Sequence, residues 1–119
     1  MKMKWTALLI LCGAISACNS VEPLPPSVAT AKVFKSFGTV QCEPASVSTG
    51  PMVEQLEKAG VQVYASACGV DGMMRPAVCG GGDGRIAIID VAADRVDRAV
   101  ALGFAPIAKA PQYQTMPCK

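Results

Sequence analysis

Cysteine is the residue type in this chain with the widest range of chemistry. The six cysteines are Cys12, Cys18, Cys42, Cys68, Cys79 and Cys118. Zinc ribbons and thioredoxin-type centres use Cys-x-x-Cys pairs, and no such pair occurs here. The chain also has no histidine, which is the commonest metal ligand and general base. These observations argue against a zinc site, a dithiol active site and a Ser-His-Asp triad.

Methionines near the cysteines leave one metal chemistry open. Met73, Met74 and Met116 each lie within a dozen residues of a cysteine, and sulfur ligands suit copper(I). Methionine is far commoner as a packing residue in cores and turns, and the chain lacks the G-x-S-x-G motif of a serine nucleophile. We therefore expect no catalytic residue, no cofactor and no metal ligand.

The N-terminal residues have the pattern of an export signal. Lys2 and Lys4 precede an apolar run from Trp5 to Ala14, and small residues follow. The run is shorter than the roughly 20 apolar residues of a spanning helix, so residues 1–17 are expected to be cleaved. Because both lysines leave with this segment, nine basic residues remain to balance the nine acidic ones. A neutral chain without a basic stripe is not suited to binding nucleic acid.

The end of the signal, Ile15-Ser16-Ala17-Cys18, resembles the lipobox of bacterial lipoproteins. The resemblance covers residues 1–18 and implies cleavage before Cys18, which then carries a diacylglycerol thioether and an N-acyl chain. Several acyl chains anchor a protein stably to a membrane. Since Asn19 rather than an aspartate follows, the resemblance also implies the outer membrane, with the domain facing the periplasm. An ordinary secretory signal cut after Ala17 is the alternative.

A proline-rich segment separates the signal from the rest of the chain. Pro23, Pro25 and Pro26 lie among small and polar residues without periodicity. Residues 18–37 are therefore expected to be a tether. The remaining residues, 38–119, are enough for one small domain.

Four cysteines lie in the expected domain: Cys42, Cys68, Cys79 and Cys118. An even number in a small exported domain predicts two disulfides, because the periplasm is oxidising and a small core needs covalent support. Four cysteines allow three pairings, and the sequence does not decide among them. We lean towards Cys68–Cys79, which would close a local glycine-rich loop, together with Cys42–Cys118.

Local patterns in residues 38–119 predict alternating strands and helices. The expected elements are a strand around Thr39–Cys42, a helix from Pro51 stopped by Gly60, strands over 61–65 and 85–90, a helix over 92–102 capped by Asp90 and stopped by Gly103, and an edge strand over 104–107. This order is that of the ferredoxin-like two-layer α+β sandwich. The architecture by itself indicates no activity.

Two Asp-Gly pairs, Asp71-Gly72 and Asp83-Gly84, lie between the predicted strands. No lysine or helix follows the glycines as in a phosphate-binding loop, and two carboxylates fall short of the ligands that calcium needs. Turn formation is the plainer explanation. A long stapled loop is also a suitable recognition surface, so we expect contacts with a partner at Tyr64, Asp71, Arg75, Asp83 and Arg85.

These features favour a non-catalytic lipoprotein of the bacterial cell envelope. Its expected partners are the membrane, through the lipid, and another envelope protein or a cell-wall component. The alternative is a periplasmic thiol-redox or copper(I)-handling protein in which some cysteines are free and act with Met73 or Met74. The redox state of the cysteines distinguishes the two hypotheses.

Overall fold

One antiparallel sheet organises residues 29–119, the part of the chain that the computed structural model describes. The strands are β1 (Thr30–Ser36), β2 (Val63–Val70), β3 (Arg85–Ala92), β4 (Ala105–Pro106) and β5 (Gln114–Met116), and the helices are α1 (Gly50–Lys58) and α2 (Val96–Ala101). The strand order is β4-β1-β3-β2-β5. The α+β class and the two disulfides are confirmed. The fifth strand was not expected, and the ferredoxin-like topology is not confirmed.

β3 lies at the centre of the sheet, and its sequence is continuously apolar over residues 86–89. It pairs with β1 on one side and with β2 on the other, and residues 86–89 are all buried. Ala87, Ile89 and Val91 belong to the core beneath the helices, where Leu56 of α1 and Ala99 of α2 are also fully buried. Each large aliphatic side chain buried there stabilises the fold by about 1.5–3 kcal/mol.

The second face of the sheet is covered by residues 107–113, which we call the crossing segment. This segment joins β4 to β5, and these strands are at opposite edges. It therefore has to pass over a face of the sheet. Tyr113 shares a small cavity with Ala67 and Ile88 on the face away from the helices, and Ala110 is fully buried. The crossing segment explains why Ile88 is buried although no helix covers it.

β1 differs from the sequence-based expectation. Residues 30–36 were assigned to the tether, but they pair with β3 along their whole length, and Val33 is fully buried. The expected domain boundary at residue 38 is therefore wrong, since the sheet begins at Thr30. The strand expected at Thr39–Cys42 is also wrong: the segment forms one isolated bridge, between Val40 and Gly82. The expected signal peptide, Cys18 and the proline-rich residues lie outside the described residues.

The helices follow their local signals in part. α1 has proline at its start and ends before Gly60, whose φ is +82°; both features were predicted. α2 begins later than expected, because β3 continues through Asp90 and a short 3-10 turn precedes the helix. Asp90 is therefore not an N-cap: its carboxylate accepts a hydrogen bond from Lys32 Nζ at 2.7 Å, across the β1–β3 ladder. This bond raises the pKa of Lys32.

The disulfides join Cys42 to Cys79 and Cys68 to Cys118, so the expected pairing is wrong. Cys68 lies within β2, next to Met116 of β5, and the chain after β5 turns back to it. Cys42 lies in the turn that bridges to Gly82, which places it near Cys79. The Cα atoms are 5.1 Å apart in each pair, within the ordinary range for a disulfide.

Candidate functional site

The connection from β2 to β3, residues 71–84, joins two strands that are adjacent in the sheet, and we call it the braced loop. Gly72 and Gly84, the glycines of the two Asp-Gly pairs, have φ values of +71° and +78°. The backbone is therefore left-handed at both positions, where glycine carries no steric penalty. The turn interpretation of these pairs agrees with this geometry.

Asp71 organises the first half of the braced loop. Arg75 Nη1 donates to Asp71 Oδ1 and Arg75 Nη2 donates to Oδ2, each at 2.7 Å, and the Met73 N–H also donates to Oδ1 at 3.0 Å. The Asp71 side chain is almost inaccessible to solvent, whereas Arg75 is about one third exposed. The hydrogen bonds from Arg75 hold the pKa of Asp71 below its usual range, although burial opposes this shift.

Gln41 braces the second half of the loop from outside it. Its side-chain amide donates to the carbonyls of Pro76 and Gly82 at 3.0 and 3.2 Å, and its amide oxygen accepts from the Val78 N–H at 3.1 Å. The Gln41 backbone also bonds to residues 80 and 81. The adjacent Cys42–Cys79 disulfide joins the same two segments covalently. This half of the loop is therefore held by both polar and covalent links.

Asp83 and Arg85 complete the framework where the loop returns to β3. Asp83 Oδ1 accepts from the Thr39 hydroxyl at 2.7 Å and from the Arg85 N–H at 3.0 Å. Burial raises the pKa of Asp83, but these hydrogen bonds outweigh it and leave the pKa below its usual value. The Arg85 guanidinium donates to the carbonyls of Ala45 and Lys119 at 2.9 and 2.6 Å. Arg85 thus fixes the C-terminal residue against the sheet.

The five residues expected to contact a partner do not form one surface. Asp71, Asp83 and Arg85 direct their polar atoms to the protein's own chain, and Arg75 is engaged by Asp71. Tyr64 lies near the start of β2, the opposite end of that strand from the braced loop, and shares a surface cavity with Ala29. The structure therefore gives four of these residues a framework role and sets Tyr64 apart.

The braced loop also exposes large apolar side chains. Met74 is fully exposed and Met73 is 62% exposed. Both line a groove of about 370 Å³ whose opposite wall comes from Lys109, Pro111 and Gln112 of the crossing segment. The sequence singled out the two methionines as possible copper(I) ligands of the alternative hypothesis. It contained no signal that Lys109 would lie beside them, because the topology of the sheet brings the two segments together.

The state of the cysteines bears on the alternative hypothesis of thiol or copper(I) chemistry. All four cysteines between residues 29 and 119 are bonded in disulfides. Within the same residues, no group of three or more His, Cys, Asp or Glu side chains is arranged to hold a metal ion. The free thiols that the alternative hypothesis requires are therefore not present there.

The Asp71–Arg75 pair predicts a pH dependence of stability. A carboxylate whose pKa is lowered in the folded state stabilises that state above its unfolded pKa of about 3.9, and the contribution is lost as the pH falls through the folded value. At pH 7 we expect Asp71→Asn to lower the free energy of unfolding by about 1–3 kcal/mol. Urea titrations from pH 7 to pH 2.5 should show this difference shrinking below about pH 4.

Glu57→Gln is the matched control for this prediction. Glu57 is exposed on α1 and has no ion-pair partner among residues 29–119. Its substitution should change stability by less than about 0.5 kcal/mol at every pH. A difference between wild type and Asp71→Asn that stays constant down to pH 2.5 would contradict the role given to Asp71.

Comparisons with known proteins do not identify a family for this chain. A comparison of the chain with protein-family models, curated proteins and solved structures finds no significant match. Neither helix between residues 29 and 119 has the length and apolar character required to cross a bilayer.

Proposed function

We propose that this chain is a lipid-anchored protein of the bacterial envelope whose α+β domain binds another envelope component and catalyses no reaction. The observation that carries the proposal is the pairing of Cys42, Cys68, Cys79 and Cys118 in two disulfides. Disulfides persist in oxidising compartments such as the periplasm and are rare in the cytosol. The signal pattern of residues 1–17 and the lipobox resemblance at Cys18 support the same location.

The position of the braced loop, at the end of β1 opposite to Thr30, supports a binding role for that end of the domain. Thr30, the first residue of β1, pairs with Ala92, whereas Ser36 at the other end of β1 pairs with Ile86, close to the braced loop. Seven strand residues span about 20 Å. The N-terminal attachment and the braced loop are therefore at opposite ends of β1, and an anchored domain would present the loop away from its attachment point.

We also propose that the first four strands and the two helices form a ferredoxin-like unit to which β5 adds an edge strand. The chain order β1-α1-β2-β3-α2-β4 supports this interpretation. The four strands without β5 are arranged as β4-β1-β3-β2, all antiparallel. This architecture hosts many functions, so it does not choose among partners.

Fractionation of cells that produce the full chain tests the anchor. We expect wild-type protein to sediment with outer membranes, to need detergent for release and to have the mass of a chain that begins at an acylated Cys18. The Cys18→Ser variant should carry no acyl chain and should be absent from the outer-membrane fraction. Cys12→Ser is the control, because Cys12 would leave with the signal. Soluble wild-type protein with an unmodified Cys18 would overturn the anchor.

A further inference from the structure

We propose that the groove between the braced loop and the crossing segment is a docking site for an apolar protein segment that carries a carboxylate. The inference builds on the binding function proposed above, but it does not depend on the lipid anchor. Its elements are two exposed methionines, a fixed groove and one lysine without an acidic partner among residues 29–119.

The apolar part of the groove is unusual for a surface loop. Met74 is exposed over its whole side chain and Met73 over more than half of it, so neither contributes much to the domain's own core. Methionine has a flexible, polarisable side chain that adapts to apolar partners of different shapes. Adjacent exposed apolar side chains in a concave surface are typical of a contact site.

Both walls of the groove are held in place before a partner binds. On one wall the Asp71–Arg75 pair and the hydrogen bond from Met73 to Asp71 fix the backbone beneath the methionines. On the other, the crossing segment lies so close that an added Cβ at Gly72 would overlap the Gln112 carbonyl group. A preformed site loses less conformational entropy on binding than a flexible one.

The charge of the groove selects the partner. Asp71 is neutralised by its two hydrogen bonds with Arg75. Lys109 is exposed at the groove and forms no ion pair with any carboxylate of residues 29–119. The groove therefore has a net positive charge beside its apolar wall. A segment with leucine-like side chains and an aspartate, a glutamate or a free C-terminus would complement both properties.

Methyl NMR on the full chain with Cys18→Ser tests the proposal in solution. The probe is a capped peptide, Ser-Leu-Leu-Asp-Leu-Ser, titrated into protein with labelled methionine methyl groups. We expect saturable shifts of the Met73 and Met74 methyls. The Met52 and Met116 methyls should not move, since Met52 packs against the core and Met116 lies in β5. Equal shifts of Met116, or no shift of Met73 and Met74 at millimolar peptide, would overturn the proposal.

Variants of the peptide and the protein separate the contribution of charge to the binding affinity from that of the apolar contacts. Replacing the peptide's aspartate by asparagine, or making Lys109→Gln in the protein, should each weaken binding about fivefold, and the two changes together should weaken it no further than either one. The Met73→Ser/Met74→Ser double variant should weaken peptide binding at least tenfold. Met116→Ser should leave binding unchanged, although Met116 is itself about half exposed. A peptide with lysine in place of the aspartate should bind more weakly still. Equal affinity for the aspartate and lysine peptides would overturn the role given to Lys109.

The two proposals fail separately. The titration uses a variant without the acylated cysteine, so loss of the anchor in cells would leave its result unchanged. Conversely, a groove that binds no peptide would not alter the fractionation of wild-type protein. Because Met73, Met74 and Lys109 are all exposed, their variants should keep the wild-type unfolding midpoint. An unchanged midpoint would show that a variant that no longer binds the peptide is still folded.

Discussion

Removal of the Cys68–Cys118 disulfide, by Ala at both positions, is expected to lower the free energy of unfolding by about 4 kcal/mol. The bond links residues 50 apart in sequence, so its loss frees a long loop in the unfolded chain. The folded state is also weakened, because β5 contributes three residues and pairs with residues 68–70 of β2. A domain of this size is stable by about 5–15 kcal/mol, so this loss is a large fraction of the total.

The Cys42→Ala/Cys79→Ala double variant is the matched comparison. This bond spans 37 residues, and the chain-entropy estimate is close to that of the first bond. Its segments, however, remain joined by the five hydrogen bonds of Gln41. We therefore expect guanidinium titrations to show a smaller loss of stability for this pair. An equal or larger loss would contradict the importance given to the C-terminal attachment.

Gly69→Ala is expected to destabilise the protein by about 3 kcal/mol. Gly69 lies in β2 opposite Thr115 of β5, and an added Cβ would overlap the backbone carbonyl of Gln114 and lie 2.7 Å from Ile88 Cδ1. Neither neighbour can easily withdraw, because Gln114 belongs to a paired strand and Ile88 is buried in the central one. The destabilisation expected for Gly69→Ala therefore comes from overpacking against neighbouring strands and not from loss of backbone freedom.

Gly50→Ala is the control for this substitution. A Cβ at Gly50 would meet Ser48 Oγ at 3.5 Å, which is an ordinary contact, and alanine favours the helix that begins there. Urea denaturation should show a change within about 0.5 kcal/mol for Gly50→Ala. If Gly69→Ala were equally mild, β5 could not be paired with β2 as described.

The elements with strong local signals could be predicted from the sequence. α1 has proline at its start and glycine after its end, β3 is a continuous apolar run, and Pro106 indicates an edge strand; all three signals lead to the observed elements. The chemistry of these residues acts over a few neighbours, so it can be recognised without tertiary structure.

The features that were missed depend on distant parts of the chain. β1 contains Lys32 and Lys35 and follows a proline-rich stretch, so its composition resembles a linker, and its burial comes from pairing with β3. The disulfide pairing follows from the return of the C-terminal residues to β2. The groove needs Lys109 beside Met73, which the crossing segment provides. Such proximity is set by topology, and no local pattern encodes it.

The two disulfides also interleave along the chain, since Cys68 lies between Cys42 and Cys79, and Cys79 lies between Cys68 and Cys118. If the chain is exported to the envelope as proposed, with its N-terminus first, Cys42 and Cys68 reach an oxidising compartment before either native partner has arrived. Oxidation in order of arrival would therefore join Cys42 to Cys68, a bond that the folded protein does not contain. Thiol–disulfide exchange must then replace it. The yield of native protein should accordingly depend on disulfide isomerisation as well as on oxidation.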